Sequence, residues 1–280
     1  MSRNKTQNLP DLSALLTPKN HLMVAVEQAV LRGQDWERAS APIADQIAAR
    51  LAGVITLDLV QSGQRLLEKD ISEVLHVSRA PVREAMRILE RDRLVEFQAR
   101  RGAIVTAPDE AEIHDIFKVR NVLYITLLEQ VVREVPDELE QVLNEHMPKL
   151  VKAAGESPDA YAVENFLLNF ALVDLCGNKL LVDMLQSISL RTLRYVRLGR
   201  VAAPETIAGS LKTWWGLHAA IVKRDDDLIL SIARMRMDEA RDAAIRAVAM
   251  ESRAKSTPRA TKVPTSREDA RKSGKQLMSA

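Results

Sequence analysis

Three arginines spaced four residues apart, Arg79, Arg83 and Arg87, are the side chains of this sequence best suited to recognition chemistry. Residues at this spacing share one face of a helix, and Ser78, directly before the first of them, is a residue type that favours the N-cap position. A guanidinium donates two parallel hydrogen bonds to guanine or contacts a phosphate, and an α-helix fits the major groove of DNA. The row alone is weak evidence, because a solvated arginine face on an ordinary helix has the same spacing.

Residues 40–108 predict the elements that would position this arginine row. Isoleucine or leucine recurs at every fourth position from Ile43 to Ile55, which indicates a helix with one apolar stripe. The predicted elements are helices at 43–55, at 68–75 and from 79 onward, strands at 94–97 and 103–106, and a hairpin turn at Arg100-Arg101-Gly102. This order predicts a winged helix-turn-helix domain. Together, the cap, the tight turn and the basic wing favour DNA binding over a merely solvated face.

The run Ser78-Arg79-Ala80-Pro81-Val82-Arg83-Glu84-Ala85 and the hairpin tip resemble the GntR family of bacterial transcription regulators, without a gap over residues 43–108. Two positions depart from the family pattern. Lys69 stands where an arginine is common, which keeps the charge but lacks the planar guanidinium, and Ser62-Gly63 stands where Pro-Gly is usual. The resemblance implies DNA contacts at Lys69, Ser78, Arg79, Ala80, Arg83, Arg101 and Gly102.

Residues 109–250 have a helical pattern almost throughout, which predicts an antiparallel helical bundle and therefore a mainly α protein. Gly155, Gly177, and Gly199 with Pro204 are among the residues that predict breaks between helices. Six helices are expected, at about 110–135, 137–154, 158–175, 178–198, 204–223 and 225–250. The region resembles the FadR-type branch of the family, whose helical C-terminal (FCD) domain binds a small ligand, and the count of six resembles its VanR-like members. The residues that carry this resemblance are Phe117-Lys118-Val119-Arg120, Cys176-Gly177-Asn178, and Ala220-Ile221 with Asp225.

Many members of this branch hold a metal ion with one aspartate and three histidines. The resemblance places those four positions on Asn165, Asn169, Trp214 and Arg236. Tryptophan has no lone pair to donate, arginine is cationic, and amides are poor ligands for zinc. We therefore expect no metal and no other cofactor, since the metal site of the family is lost.

The same four residues, with Arg120 from the first helix of the bundle, predict a pocket that binds an anion directly. The expected effector is a small organic acid with an apolar part that stacks on the Trp214 indole, rather than a bare dicarboxylate. Two of these residues also have an interpretation that involves no ligand. Arg120 could form an intramolecular ion pair, and Trp214 could simply fill the hydrophobic core.

The two ends of the chain have sequence patterns that differ from those of its centre. Residues 1–39 predict an extension with a short helix from His21 to Leu31 that packs on a neighbouring element. Residues 251–280 have 8 basic and 3 acidic side chains and almost no apolar periodicity, which is typical of a disordered basic tail. The expected organisation is thus 1–39, 40–108, 109–250 and 251–280.

Composition and motifs narrow the function classes. The chain has 280 residues, a formal net charge of +2, one cysteine, and no apolar run long enough to span a membrane, so we expect a cytoplasmic protein without a membrane partner. It has no glycine-rich phosphate loop, nucleophile elbow or metal tetrad, so an enzyme is not expected. The resemblance implies a homodimeric, ligand-responsive repressor that binds a pseudo-palindromic operator. The alternative is an interaction or signalling module that retains a winged helix without specific DNA binding.

Overall fold

The computed structural model describes residues 20–32, 41–98 and 102–256, and within these ranges it contains ten helices and one small sheet. The N-terminal half consists of α1 (His21–Arg32), α2 (Ile43–Thr56), β1 (Arg65–Leu66), α3 (Glu68–Leu75), α4 (Arg79–Arg91), β2 (Val95–Gln98) and β3 (Gly102–Val105). The C-terminal half consists of α5 (Glu110–Glu134), α6 (Pro136–Glu156), α7 (Pro158–Asp174), α8 (Lys179–Ala202), α9 (Thr206–Val222) and α10 (Asp226–Ser256). The mainly α fold with a winged helix-turn-helix is confirmed. Across the described ranges, no helix has the length and apolar character needed to cross a bilayer.

The wing contains one more strand than the sequence predicts. The strands are ordered β1-β3-β2, and both pairings are antiparallel, with Arg65 opposite Ile104 in the added pair. A strand of two residues has no readable alternation, which is why the sequence predicts only a hairpin. Ser78 occupies the N-cap position of α4 with an extended backbone, but its side chain makes no capping hydrogen bond.

Helix α1 packs on both halves of the molecule, as the prediction of a docked N-terminal helix requires. Its Met23, Val26 and Ala29 share one apolar core with α2 of the winged helix and with Phe166 and Phe170 of α7. Glu27, which is buried, pairs with Arg50 of α2 at 3.3 Å. The winged helix and the bundle are therefore joined by a continuous core that runs through α1.

The six helices of the bundle match the predicted number, but two of the predicted limits are wrong. Helix α8 continues through Gly199 to Ala202, and α10 continues beyond Met250 to Ser256, into the segment predicted as a disordered tail. The rest of that tail, from residue 257, lies outside the described residues. A β-carbon at Gly199 would lie 2.9 Å from the backbone carbonyl carbon of Ala243, so this glycine allows the close crossing of α8 and α10 rather than ending a helix.

We expect Gly199→Ala to lower the free energy of unfolding by about 1–2 kcal/mol, measured by urea denaturation. The added methyl group meets backbone atoms of α10, which cannot move aside as a side chain can, and the cost of separating the helices exceeds the gain in helix propensity. Gly209→Ala is the matched control, because a β-carbon there meets nothing within 4 Å, and it should instead stabilise by about 0.5–1 kcal/mol. Equal stabilisation by both substitutions would contradict the close helix crossing.

Candidate DNA-binding face and ligand pocket

Six of the seven residues predicted to contact DNA fall in the described part of the winged helix, and all six are exposed. Lys69 of α3, Ser78, and the first residues of α4 are all exposed, and the turn at His76 with its left-handed backbone brings the two helices together there. Gly102 at the start of β3 is exposed and has a φ of 78°, a conformation that favours glycine. The exposed residues of the set are Lys69, Ser78, Arg79, Ala80, Arg83 and Gly102, whereas Arg101 lies outside the described residues.

The three arginines of the row differ in their partners. Arg83 donates from Nε and Nη2 to the Glu68 carboxylate at 3.1 and 3.0 Å, and this hydrogen-bonded partner raises the pKa of Arg83 above its ordinary value. Arg87 pairs with Glu84 at 3.2 Å. Arg79 makes no ion pair with any residue in the described ranges. Of the row, Arg79 therefore has the guanidinium most available to a phosphate or a base.

A pocket opens inside the bundle where α5, α7, α8, α9 and α10 meet. The space between its lining residues amounts to about 560 Å³ when the open solvent at its mouth is included, and only a small part of that space is enclosed. Four of the five residues predicted for a ligand site line it: Arg120, Asn165, Asn169 and Arg236. The helices thus bring together positions that are more than one hundred residues apart in the sequence.

Trp214, the fifth predicted residue, lies beneath the pocket and not in its lining. Its side chain is 0% exposed, and the Arg236 guanidinium carbon lies 3.6 Å from the centroid of its ring. The indole Nε1 donates to Asn165 Oδ1 at 2.9 Å. The prediction that a ligand stacks on Trp214 is therefore wrong, because Arg236 already covers the indole face.

Arg236 is held by a set of polar contacts as well as by the indole. Its Nη1 donates to Thr213 Oγ1 at 2.7 Å and to the Ser210 carbonyl at 3.1 Å. Burial lowers the pKa of Arg236 to about 10. The guanidinium is thus fixed in place at the pocket wall without an ion-pair partner among the residues that the structure describes.

Arg120 is the least satisfied charged group of the pocket. It is 5% exposed, and its Nε and Nη1 have no hydrogen-bond partner among the described residues. The guanidinium carbon lies 5.8 Å from the Tyr124 ring centroid. Burial lowers the pKa of Arg120 to about 10. The intramolecular ion pair considered for Arg120 is not formed within the described ranges. Asn169 adds a buried Oδ1 that also has no partner in the part of the chain that the structure describes.

Sequence reasoning missed Arg200, a third buried guanidinium in the lining. It is 7% exposed and lies 5.9 Å from the Tyr161 ring centroid. The sequence does indicate that Arg200 shares a helix face with other residues of the lining, because Thr192, Val196 and Arg200 follow one another at helical spacing. This signal was lost because Gly199 was interpreted as the end of the helix.

The four positions equivalent to the family's metal ligands converge, but their side chains do not suit a metal ion. Asn165 Oδ1 accepts from Trp214 and lies 3.5 Å from Arg236 Nη2, so a fixed cation occupies the centre of the set. No group of three or more histidine, cysteine, aspartate or glutamate side chains that could hold a metal occurs in the described part of the chain. The charge at this place is therefore supplied by arginine.

Comparison with known proteins gives two family matches, one for each half. The model described as bacterial regulatory proteins, gntR family, matches residues 43–105, and the model of the FCD domain matches residues 115–239. Helix α1 precedes both matched segments.

Three curated relatives illustrate the sequence similarity. The chain is 29% identical over 129 residues to the uncharacterised HTH-type transcriptional regulator YdhC of Bacillus subtilis (45% of this chain, 58% of that protein). It is 30% identical over 146 residues to the gluconate operon transcriptional repressor of Bacillus licheniformis (51% and 59%). The match to the HTH-type transcriptional repressor RspR of Escherichia coli is 24% over 196 residues (67% and 82%). The chain thus spans less than two thirds of the length of the two Bacillus relatives.

Two solved structures share the fold. McbR/YncC of E. coli has a TM-score of 0.64 at 19% identity, covering 76% of this chain and 99% of that one. A GntR transcriptional regulator of Rhodococcus sp. RHA1 has a TM-score of 0.62 at 21% identity, covering 73% and 98%. At these identities the likeness concerns the fold alone.

Proposed function

Because the chain belongs to the GntR family and carries an FCD domain, we propose that it is a DNA-binding transcription regulator whose bundle senses a small organic acid. The observation that carries the ligand class is the pair of buried guanidiniums, Arg120 and Arg236, which have no carboxylate partner in the described ranges. A buried charge without a partner is costly, and an anionic ligand supplies the missing partner. The apolar lining around them, with Phe117, Phe166 and Leu193, suits the carbon skeleton of an organic acid.

DNA is the proposed partner of the exposed face around the N-terminus of α4. The family implies a homodimer, so we propose a pseudo-palindromic operator with two half-sites related by the protein dyad. We further propose that the protein represses, because the named relatives of Bacillus licheniformis and E. coli are repressors. A regulator that binds operator DNA acts in the cytoplasm.

Helix α8 contacts both the pocket and the DNA-binding half. Thr192, Val196 and Arg200 line the pocket, and Arg194 of the same helix faces the winged helix. Arg194 Nη2 donates to the Thr106 carbonyl at 2.8 Å and to Ser62 Oγ at 2.9 Å. A ligand that shifts α8 would therefore move groups that hold the turn before β1 and the end of β3.

A gel-shift assay with DNA flanking the gene, repeated in the presence of small carboxylic acids, tests this function. We expect binding to a segment with dyad symmetry and release by an acid that also raises the melting temperature. A ligand at about one hundred times its Kd stabilises the fold by about 2.7 kcal/mol, which a thermal-shift screen detects. Failure to bind any flanking DNA specifically would instead favour an interaction module that retains the winged helix.

Metal independence is a separate expected result. Elemental analysis of the purified protein should find no stoichiometric zinc, nickel or manganese, and chelators should leave the melting temperature unchanged. The reason is that Arg236 and Trp214 stand where the family's histidines would bind the ion. A tightly held metal ion would contradict the arrangement of Arg236 over the indole.

A further inference from the structure

The pocket contains three buried guanidiniums rather than two, and we infer that its ligand is a compact dicarboxylate. This inference rests on the proposed function and narrows the ligand class. Arg120, Arg200 and Arg236 come from α5, α8 and α10, and each is at most 8% exposed. The third of them, Arg200, is the residue that would separate acids with two negative charges from acids with one.

The charges of the pocket lining favour a ligand with more than one negative charge. Glu239 is the one carboxylate among the lining residues, and it is exposed to solvent. No ion pair joins any of the three arginines to a residue in the described part of the chain. Three buried cations beside one solvated anion leave an excess of about two positive charges, which a single carboxylate does not neutralise.

The three guanidiniums lie beside three different aromatic rings. The guanidinium carbon of Arg120 is 5.8 Å from the Tyr124 ring centroid, that of Arg200 is 5.9 Å from the Tyr161 centroid, and that of Arg236 is 3.6 Å from the Trp214 centroid. The charge of Arg236 acts on Tyr124, which faces Arg120, and also on Tyr161, which faces Arg200. A ligand with two anionic groups at separate ends could contact guanidiniums that come from three different helices.

The contacts that hold the Arg200 guanidinium in place leave its charge unneutralised, so the charge remains available to an anionic ligand. Its Nη1 donates to Thr206 Oγ1 at 2.9 Å and to the Thr206 carbonyl at 3.3 Å, both of which are neutral acceptors. Burial lowers the pKa of Arg200 below its ordinary value. Ser210 in the lining adds a hydroxyl group that accepts from Tyr161 and can still donate to a second carboxylate. The hydroxyl groups of Ser189 and Thr192 donate instead to backbone carbonyls of their own helix.

Isothermal titration of the full chain with matched acids tests the inference. The probes are malonate, succinate and glutarate, each against the monocarboxylate with the same number of carbon atoms, with inorganic phosphate as a further arm. We expect at least one dicarboxylate to bind ten or more times more tightly than its monocarboxylate. In Arg200→Met this preference should disappear, with the affinity for the monocarboxylate changed by less than about threefold.

Two further variants keep the result interpretable. Arg246→Met removes an exposed arginine of α10 and is expected to bind like the wild type, which controls for net charge. Arg200→Lys keeps the charge and should retain a reduced preference, and it replaces Arg200→Met if that variant does not fold. Equal affinities for dicarboxylates and monocarboxylates in the wild type, or tighter binding of phosphate, would overturn the inference and leave the proposed anion site standing. Binding of none of these anions would contradict both.

Discussion

Replacing Arg79 with alanine is expected to weaken specific operator binding by about 1–3 kcal/mol, which corresponds to roughly 5–150-fold in Kd. Arg79 lies at the N-terminus of α4, is exposed, and is the member of the arginine row with no ion pair to a described residue. The Arg79 guanidinium can therefore contact DNA without first breaking an ion pair to a described residue. The measurement is a titration of labelled operator at fixed salt, since the salt concentration sets the contribution of phosphate contacts.

The other two arginines of the row provide graded comparisons. Arg83→Ala should also weaken binding, although Arg83 must first be released from its two hydrogen bonds to Glu68. Glu68→Gln weakens that competing contact and should strengthen DNA binding. Arg87→Ala is the control with a small effect, because Arg87 lies farther from the helix N-terminus and pairs with Glu84. Wild-type affinity in both Arg79→Ala and Arg83→Ala would show that α4 does not read the operator.

Replacing Arg120 with methionine is expected to have two opposite effects, loss of acid binding by about thirtyfold or more and a more stable ligand-free fold. The binding loss follows from removing a buried charge-assisted contact, which is worth about 2–5 kcal/mol. The gain in stability follows because Arg120 is buried with Nε and Nη1 unpartnered, and methionine fills a similar volume without a charge. We expect the free energy of unfolding to rise by about 1–4 kcal/mol.

The pKa of Arg120 sets the pH range of this gain. Burial lowers the pKa to about 10 from an ordinary value of 12.5. Below pH 10 the side chain is charged in both the folded and the unfolded states, so the full cost of burying the charge is present at neutral pH. Above pH 10 the folded state releases its proton first, which stabilises the wild type and should narrow its difference from Arg120→Met.

Urea denaturation and calorimetric titration of the same preparation measure both effects. Arg133→Met, an exposed arginine on the same helix, is the control and should alter neither the stability nor the binding beyond about 0.5 kcal/mol. If Arg120→Met were less stable than the wild type and still bound acids, Arg120 would be a structural residue with partners of its own.

Local patterns were sufficient for most of the architecture. Helical spacing predicts the number and order of the bundle helices, because this signal acts over a few turns of the chain. In the structure, Asp109, Ser157 and Asn178 cap three of these helices with side-chain hydrogen bonds. The arginine row and the Ser-Arg-x-Pro-Val-Arg-Glu-Ala run identify the DNA-binding half because they are local patterns as well. Four of the five residues predicted for a ligand site line one pocket, and their role in ligand binding stays a prediction that rests on the family resemblance.

Tertiary structure alone decided what depends on contacts between distant segments. Glycine is a residue type that often ends a helix, but at Gly199 the close approach of Ala243 shows that α8 and α10 cross there. Helix α8 therefore continues past Gly199 and brings Arg200 into the pocket. Trp214 has the residue type of a stacking platform, but Arg236, 22 positions later in the sequence, already covers its ring. Arg120 has no carboxylate partner among the described residues, and this depends on which helices surround it. Local sequence determines how each helix forms, whereas burial and the pairing of charges depend on how the helices pack together.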